Sequence, residues 1–402
     1  MIVTNLDGQK NLPRYFSQVF TIAKKGENGR IDFILNDGRI FRAEGPNKGP
    51  TCEVQVHDHG VFARLLREGQ LGFCDAYLEG QWSSPDLQAF MDYFHADNDV
   101  VFESFPGQKL VQFYERFRFF LQRNSKDQAR KNISYHYDLG NDFYGLWLDE
   151  SMTYSSAIFK TGQESLKQAQ ATKYASMIDQ MGVKAGEHVL EIGCGWGGFA
   201  EYAAKERGLK VTCLTISEEQ FKYAQDRIDK AGLRDLVKFK LQDYRDETGV
   251  YDGIASIEMF EAVGEQYWPA YFSTVRDRLK PGAQATLQII TVQNKNFETY
   301  RKSVDFIQKY IFPGGMLPSL NILGEQVAKA GLKVEKTIAF GESYSRTLRQ
   351  WHDVFNRKWD DVVTMGFDER FMRMWNFYLT SCAATFNYGN CDVVQITISK
   401  PN

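Results

Sequence analysis

The sequence predicts an α/β protein whose core is a doubly wound, Rossmann-like sheet, with a small α+β domain in front of it. Three observations predict this fold. An apolar run enters a glycine-rich turn at 189–198, strand-like and helical stretches alternate after that turn, and residues 1–105 lack the alternation. The 402 residues, 43% of them hydrophobic, are enough to bury a large core and to form two domains.

Composition narrows the classes of function. A net charge of −3 provides no overall field that attracts nucleic acid, so we expect no nucleic-acid partner. The six cysteines show no Cys-x-x-Cys spacing, which argues against a zinc site or a disulfide framework, and we expect no metal. Residues 1–20 lack the apolar core of a signal peptide. No stretch of the sequence approaches the length of apolar residues, about 20, that a helix needs to span a bilayer. These features predict a cytoplasmic protein, soluble or attached to a membrane surface.

The first predicted domain, residues 1–105, contains no catalytic motif. Its residues 30–41 alternate like two strands around Asn36-Asp37-Gly38, which is a strong hairpin signal. Val61–Glu68 is typical of a helix. A small structural domain is therefore expected here.

A basic amphipathic linker helix is predicted over 106–131, with a broad apolar face rich in aromatic residues. Seven Lys or Arg fall in 109–131, against only Glu115 and Asp127. Such a helix can lie in a membrane interface. The alternative is a helix packed between domains with a solvated basic edge. The basic residues are Lys109, Arg116, Arg118, Arg123, Lys126, Arg130 and Lys131.

The last predicted domain, residues 132–402, carries the alternating pattern. The carboxyl ends of its first strands, where the chain order reverses, are where such a sheet binds its ligand. Strands are expected at 188–193, 210–215, 237–243, 251–258 and 283–290, and an antiparallel pair at the sheet edge is expected at 332–340 and 392–400.

The glycine-rich turn follows the first of these strands, and Phe199–Arg207 then reads as a helix. Gly193 and Gly195 let a ligand approach bare backbone, because glycine has no Cβ. The second strand ends in Thr215, with no acidic residue until Glu218. A nicotinamide-binding fold has an acid at that strand end to hold the ribose. The departure argues against a dehydrogenase.

Several motifs surround this turn: Thr153-Tyr154-Ser155, Thr215–Gln220, Asp243-Tyr244-Arg245, His136–Tyr144, Ile257–Glu261, Tyr310–Gly315, and Thr347-Leu348 ahead of Trp351. Together they resemble the cyclopropane fatty acid synthases and mycolic acid methyltransferases, over essentially the whole chain. The resemblance implies a class I S-adenosylmethionine-dependent methyltransferase with a seven-stranded sheet. It also implies an N-terminal domain of the bacterial cyclopropane synthase type.

The resemblance implies a complete S-adenosylmethionine site. The glycine turn, with Gly193 and Gly195, would receive the methionine part of the cofactor. In this family the nucleoside sugar, the adenine and the methionine carboxylate are held by three pairs of residues, which fall here on Thr215 and Gln220, on Asp243 and Tyr244, and on Tyr154 and Ser155.

The family transfers a methyl group to the cis double bond of an acyl chain in a membrane phospholipid, then removes a proton to close a cyclopropane ring. The resemblance therefore implies an unsaturated phospholipid as substrate, peripheral attachment to the inner membrane surface, and a homodimer. Tyr137 matches a tyrosine of the family's active site. It is the candidate for stabilising the intermediate cation with its aromatic face.

The match is incomplete where the proton is removed. In the family a bound bicarbonate is held by a Cys, a Glu, a His, an Ile backbone amide and a Tyr. Ser and Gln can donate hydrogen bonds to such an anion but do not titrate near neutral pH, so bicarbonate binding and ring closure are in doubt. The corresponding residues here are Ser156 for the Cys, Glu261, Gln288 for the His, Ile290 and Tyr344, and Ala262 replaces a further usual His.

If ring closure fails, the cation can lose a proton from a neighbouring carbon. The product is then a methyl-branched, still unsaturated chain, which a partner reductase could saturate. We favour this outcome slightly over a cyclopropane because of the altered anion pocket. A small-molecule N- or O-methyltransferase and a non-catalytic lipid-binding relative are the alternatives from other classes.

Overall fold

A computed structural model describes residues 2–96, 115–116, 128 and 139–402. The chain forms two compact units, each assembled from stretches that are distant in sequence. The first comprises Met1–Arg118, Ser303–Ile311 and Gly366–Asn390, and the second comprises Phe119–Lys302, Phe312–Met365 and Cys391–Asn402. The predicted linker helix at 106–131 lies almost entirely outside the described residues, and the three domain ranges stay predictions.

The first unit contains the strands β1 (Ile2–Val3), β2 (Asn28–Ile34), β3 (Ile40–Glu44), β4 (Asn47–Val56) and β5 (Trp82–Ser83). They form one sheet in the order β1-β3-β2-β4-β5. The hairpin prediction is confirmed: β2 and β3 are antiparallel, and Ile34 pairs with Ile40. Gly38 in the connecting turn has a φ of 82°, a conformation that glycine adopts without strain.

Aromatic side chains join the helices of this unit to its sheet. The ring centroid of Phe16 lies 4.8 Å from that of Phe41 and 5.0 Å from that of Phe62. The helix predicted at Val61–Glu68 is confirmed, and it continues to Leu78 through a bend at Gly69. The helices are Phe16–Ala23, Gly60–Leu78, Leu87–Ala96 and Glu369–Asn387, with a π-helical turn at Ile307–Ile311.

The second unit contains the strands β6 (His188–Ile192), β7 (Lys210–Thr215), β8 (Val237–Leu241), β9 (Tyr251–Ile257), β10 (Leu279–Val292), β11 (Lys333–Ala339) and β12 (Cys391–Ser399). They form a seven-stranded sheet in the order β11-β12-β10-β9-β6-β7-β8. Strands β6 to β10 pair in parallel, whereas β12 is antiparallel to both β10 and β11. The five predicted strands and the predicted antiparallel pair are confirmed.

Helices cover both faces of this sheet. Neighbouring residues such as Val189 and Leu190 enter different apolar layers, because side chains alternate along a strand. One layer includes Phe272 and the other includes Met177. The helices are Asn141–Trp147, Leu166–Met181, Gly198–Arg207, Glu218–Lys230, Trp268–Arg278, Phe297–Tyr300, Leu320–Lys329, Gly341–Arg357 and Trp359–Thr364.

The helix predicted at Phe199–Arg207 is confirmed, and it begins one residue earlier, at Gly198. With both faces covered, the carboxyl ends of the parallel strands are left for a ligand. Among the described residues, no helix is both long and apolar enough to cross a membrane.

Candidate active site

The glycine turn after β6 contains two glycines with different surroundings. Gly193 has a φ of 83°, and a Cβ there would stand 2.6 Å from Cγ of Met259. Gly195 has a φ of 51°, and no described atom lies within 4 Å of the position of its Cβ. Gly193 is therefore required by packing within the protein. Gly195 faces open space, as expected of backbone that a ligand approaches.

The segment leading to Tyr154 is fastened to this turn. Thr153 and Tyr174 share a hydrogen bond of 2.5 Å between their hydroxyl oxygens. Arg227 Nη1 donates to the carbonyl oxygens of Ser151 and Trp196, at 2.7 and 3.3 Å. Because Arg227 binds a carbonyl of each, the segment 151–155 lies beside the glycine turn.

Thr215 and Gln220, the predicted sugar-binding pair, are brought together at the end of β7. Thr215 Oγ1 donates to Gln220 Oε1 at 3.1 Å and accepts from the Ser217 amide at 3.1 Å. Ser217 is also the N-cap of the following helix, because its Oγ accepts from the Gln220 amide. Both predicted side chains are buried, so their polar ends are oriented by the protein before any ligand binds.

Asp243 and Tyr244 follow β8. The carboxylate of Asp243 accepts from Arg245 Nε at 2.8 Å and from Arg245 Nη2 at 2.6 Å. Its Oδ1 also accepts from the Arg245 amide at 2.9 Å. Burial raises the pKa of Tyr244, so this side chain is a neutral phenol. That Asp243 receives the adenine amine stays a prediction.

Tyr154 lies in a cluster of aromatic rings. Its ring centroid is 5.3 Å from Tyr144, 5.6 Å from Trp147 and 5.4 Å from Trp351. Tyr144 in turn lies 5.0 Å from Trp196, a residue of the glycine turn. Tyr144, Trp147 and Trp351 are buried, whereas Tyr154 is half-buried, so Tyr154 is the member of this aromatic cluster whose ring face a cation or an apolar chain can reach.

Ser155 contacts a buried lysine that sequence reasoning missed. Lys173 Nζ donates to Ser155 Oγ at 2.7 Å, and Lys173 is 0% exposed. Burial lowers the pKa of Lys173, and the nearby charge of Glu258 opposes that shift. Lys173 lies four residues after Ala169 and four before Met177, on the buried face of its helix. A lysine at a core position was the available signal.

Glu258 is the second residue that sequence reasoning missed. Its carboxylate accepts hydrogen bonds from residues that were predicted to hold an anion. Its Oε1 accepts from the Ser156 amide at 2.8 Å and from Gln288 Nε2 at 2.8 Å. Its Oε2 accepts from the Tyr344 hydroxyl at 2.7 Å. Burial raises the pKa of Glu258, while the bonds from Tyr344 and Gln288 oppose the shift. The signal was a carboxylate directly after β9, three residues ahead of Glu261.

Glu261 is placed differently from Glu258. Its Oε1 accepts from the Ile290 amide at 2.6 Å, so the structure brings these two predicted site residues together. Its Oε2 is buried and has no hydrogen-bond partner among the described residues. Burial, reinforced by the charge of Glu258, raises the pKa of Glu261 to about 8. Glu261 is therefore mostly a neutral carboxylic acid at pH 7.

Of the predicted catalytic residues, Ser156, Gln288 and Tyr344 meet around Glu258, and Ile290 meets Glu261. Ser156 uses its amide, since its hydroxyl donates to the Ala157 carbonyl at 3.0 Å. Tyr137 lies outside the described residues. The site therefore combines an open glycine turn, an aromatic cluster and two half-buried carboxylates, which suits attack on an apolar group followed by removal of a proton.

The sheet order, with its antiparallel strand next to the edge, and the glycine turn after β6 define a class I methyltransferase. The family model "Mycolic acid cyclopropane synthetase" matches residues 124–396. The chain belongs to this family and is an S-adenosylmethionine-dependent methyltransferase.

Three known proteins illustrate the similarity. The chain is 37% identical to a tuberculostearic acid methyltransferase of Mycobacterium tuberculosis, over 92% of this chain and 88% of that protein. It is 34% identical to the cyclopropane-fatty-acyl-phospholipid synthase of Escherichia coli K12, over 88% of this chain and 89% of that protein. A mycolic acid cyclopropane synthase solved with SAH and CTAB is 29% identical, with a TM-score of 0.63 over 67% of this chain and 98% of that one.

Proposed function

We propose that this enzyme transfers the methyl group of S-adenosylmethionine to the double bond of an unsaturated acyl chain in a membrane phospholipid, and that it releases a methyl-branched, still unsaturated chain. The observation that carries this proposal is the aromatic cluster that runs from Trp196 in the glycine turn to Tyr344, whose hydroxyl donates to Glu258. An alkene is a poor nucleophile, and dry alignment beside the sulfonium methyl lowers its barrier. Aromatic faces stabilise the cation that results.

The cofactor site proposed for this reaction keeps the predicted residues. Open space at Gly195 and the paired side chains of Thr215 and Gln220 support it. Ser155, fixed by Lys173, supports a role in holding the methionine carboxylate. The full proposed set is Tyr154, Ser155, Gly193, Gly195, Thr215, Gln220, Asp243 and Tyr244.

The substrate assignment is supported by the names of the relatives. One is a tuberculostearic acid methyltransferase, and another is a cyclopropane-fatty-acyl-phospholipid synthase. The first name states methyl transfer and the second states a cyclopropane, which are the two alternative outcomes of the reaction. The higher identity to the first, 37% against 34%, agrees with a methyl-branched product.

Three further elements belong to the proposal. The enzyme acts in the cytoplasm at the inner membrane surface, which the seven basic residues of 109–131 support. It works as a homodimer, as the family resemblance suggests. A partner reductase saturates the product, because the remaining double bond is one reduction away from a saturated branched chain.

The test is mass analysis of lipids after incubation of the purified protein with S-adenosylmethionine and vesicles of unsaturated phospholipid. We expect acyl chains heavier by one methylene. Methylation of soluble amines or hydroxyl compounds, with unchanged vesicles, would replace the proposal with a small-molecule methyltransferase. Cofactor binding without turnover on either substrate would indicate a non-catalytic lipid-binding relative.

The product is decided by a methyl donor carrying three deuterons. A methyl-branched alkene retains all three, because the lost proton comes from the acyl chain. A cyclopropane retains two, because ring closure removes one from the added carbon. Products that have lost one deuteron would show that the proton leaves the added carbon, and would contradict a double bond formed within the acyl chain.

A further inference from the structure

The carboxylate of Glu258 is held by donors from three separate parts of the second unit. The Ser156 amide follows the Tyr154-Ser155 segment, Gln288 lies on β10, and Tyr344 lies on the helix Gly341–Arg357. These three residues are among the five that the family resemblance assigns to binding a free anion. A carboxylate and a bicarbonate ion both present planar, negatively charged oxygens. The donors cannot hold both ions in one place.

The orientation of these donors is specified by the protein. Gln395 Nε2 donates to Gln288 Oε1 at 3.1 Å, across the paired strands β10 and β12, where Gln288 faces Gln395 in register. The oxygen of the Gln288 amide is thereby engaged, and its NH₂ group points to Glu258 and to the Ser156 carbonyl. A side chain so arranged is a donor toward Glu258. This orientation favours a negatively charged acceptor at the position of Glu258.

The backbone at Glu258 supports the same interpretation. Its φ of 50° is uncommon for any residue other than glycine and is unfavourable for a side chain with a Cβ. Such conformations persist where the surrounding structure holds them, and they cluster at functional sites. Here the strain places a carboxylate at the carboxyl end of β9, the side of the sheet on which the ligand binds.

We propose that Glu258 is the general base of this site, a carboxylate of the protein in the place of a free oxyanion. The inference rests on the proposed function for the identity of the proton that is removed. It makes the enzyme independent of bicarbonate. A base at Glu258 also explains why Ser156 and Gln288 can replace the Cys and His of the family. Ser156 and Gln288 only orient the base, so they need not titrate.

The proposed reaction consists of a methyl transfer followed by a proton transfer. S-adenosylmethionine supplies the methyl group and retains the electron pair of the broken carbon–sulfur bond. The alkene π pair forms the new carbon–carbon bond, which leaves a cation on the adjacent carbon. Glu258 takes a proton from the carbon next to that cation, and the released C–H pair becomes the new double bond. The proton then passes from the Glu258 carboxylic acid to water.

The experiment compares the wild-type enzyme with Glu258→Gly and Glu258→Gln, with and without bicarbonate. Glycine suits the positive φ and leaves a cavity lined by the three donors. We expect Glu258→Gly to lose about 100-fold or more in turnover without bicarbonate, and to regain activity when bicarbonate or formate is added. Glu258→Gln fills the cavity, so it is expected to lose activity without rescue. Wild-type turnover is expected to be insensitive to bicarbonate.

Calorimetry with bicarbonate provides a readout that does not depend on the substrate. We expect Glu258→Gly to bind bicarbonate and the wild-type enzyme not to bind it, with S-adenosylmethionine affinity intact in both. Bicarbonate binding to the wild-type enzyme, or undiminished turnover by Glu258→Gln, would overturn the inference. Failure of the wild-type enzyme to modify any lipid would instead refute the proposed function, and the calorimetric result would still decide whether Glu258 occupies the anion position.

Discussion

The two halves of the active site differ in whether the protein itself fills the position expected for a ligand. At the ends of β6 and β7, Gly195 faces empty space and Thr215 is paired with Gln220 at a buried position. At the ends of β9 and β10, the donors expected for an external anion already bind Glu258. One half is prepared for an exchangeable cofactor and the other carries its own reactive group. Residues matched to a family motif can therefore keep their positions while their partner changes.

The largest effect is expected at the open half. In Gly195→Val the side chain occupies the open space proposed for the methionine part of the cofactor, so we expect the dissociation constant of S-adenosylmethionine to rise about 100-fold or more. Gly232→Val is the matched control, because Gly232 has a φ of 70° and similarly open surroundings. It should share the cost of the backbone conformation and keep cofactor affinity. Equal calorimetric affinities for both variants would contradict the assignment of the turn.

The next effect concerns the half that contains Glu258. Tyr344→Phe removes one donor from the carboxylate, and a hydrogen bond to a charged group contributes about 1.5–3 kcal/mol. We expect turnover to fall about 10- to 100-fold, with cofactor affinity unchanged. Tyr251→Phe is the control: Tyr251 begins β9, the strand that Glu258 follows, and it donates to Glu247 at 3.0 Å. Equal losses of turnover in both variants would indicate a structural effect only.

A smaller effect is expected at Thr215. Thr215→Val removes the hydroxyl that orients Gln220, and the loss of one neutral hydrogen bond corresponds to about a tenfold weaker binding of S-adenosylmethionine. Thr212→Val, on the same strand, removes a hydroxyl that contacts His188 at 2.8 Å. That variant should lose similar stability but bind the cofactor normally. Unaltered affinity in Thr215→Val would exclude Thr215 from the sugar site.

The smallest expected effect is a change in the pH dependence of stability when Glu261 is replaced. Because the pKa of Glu261 is raised from 4.5 to about 8, the folded protein holds a proton that the unfolded chain loses in this range. Stability therefore falls as pH rises through the window, and Glu261→Gln, which mimics the protonated acid, removes this loss. We expect the melting temperature of the variant, minus that of the wild type, to be about 2–5 °C higher at about pH 8.5 than at about pH 5. A pH-independent difference would contradict a protonated Glu261.

Much of the fold was predictable because it depends on local periodicity. Strands β6 to β9 and the helix after the glycine turn were predicted to within about two residues, since period-2 and period-3.6 patterns report burial directly. The composition of the two compact units was not predictable in this way. Gly366–Asn390 belongs to the first unit although it lies far along the chain, and no local pattern specifies such a partner.

The sequence by itself determined the methyltransferase fold, the family and the list of residues proposed to surround the cofactor and the reacting carbon. Only the tertiary structure decided which partner each residue has. Ser156, Gln288 and Tyr344 lie far apart along the chain, and their meeting at Glu258 depends on how β9, β10 and a distant helix pack. The same applies to Lys173, whose buried position follows from its helix but whose partner Ser155 does not. Hydrogen bonds between side chains are set by distances in the folded chain, which residue spacing along the sequence does not encode.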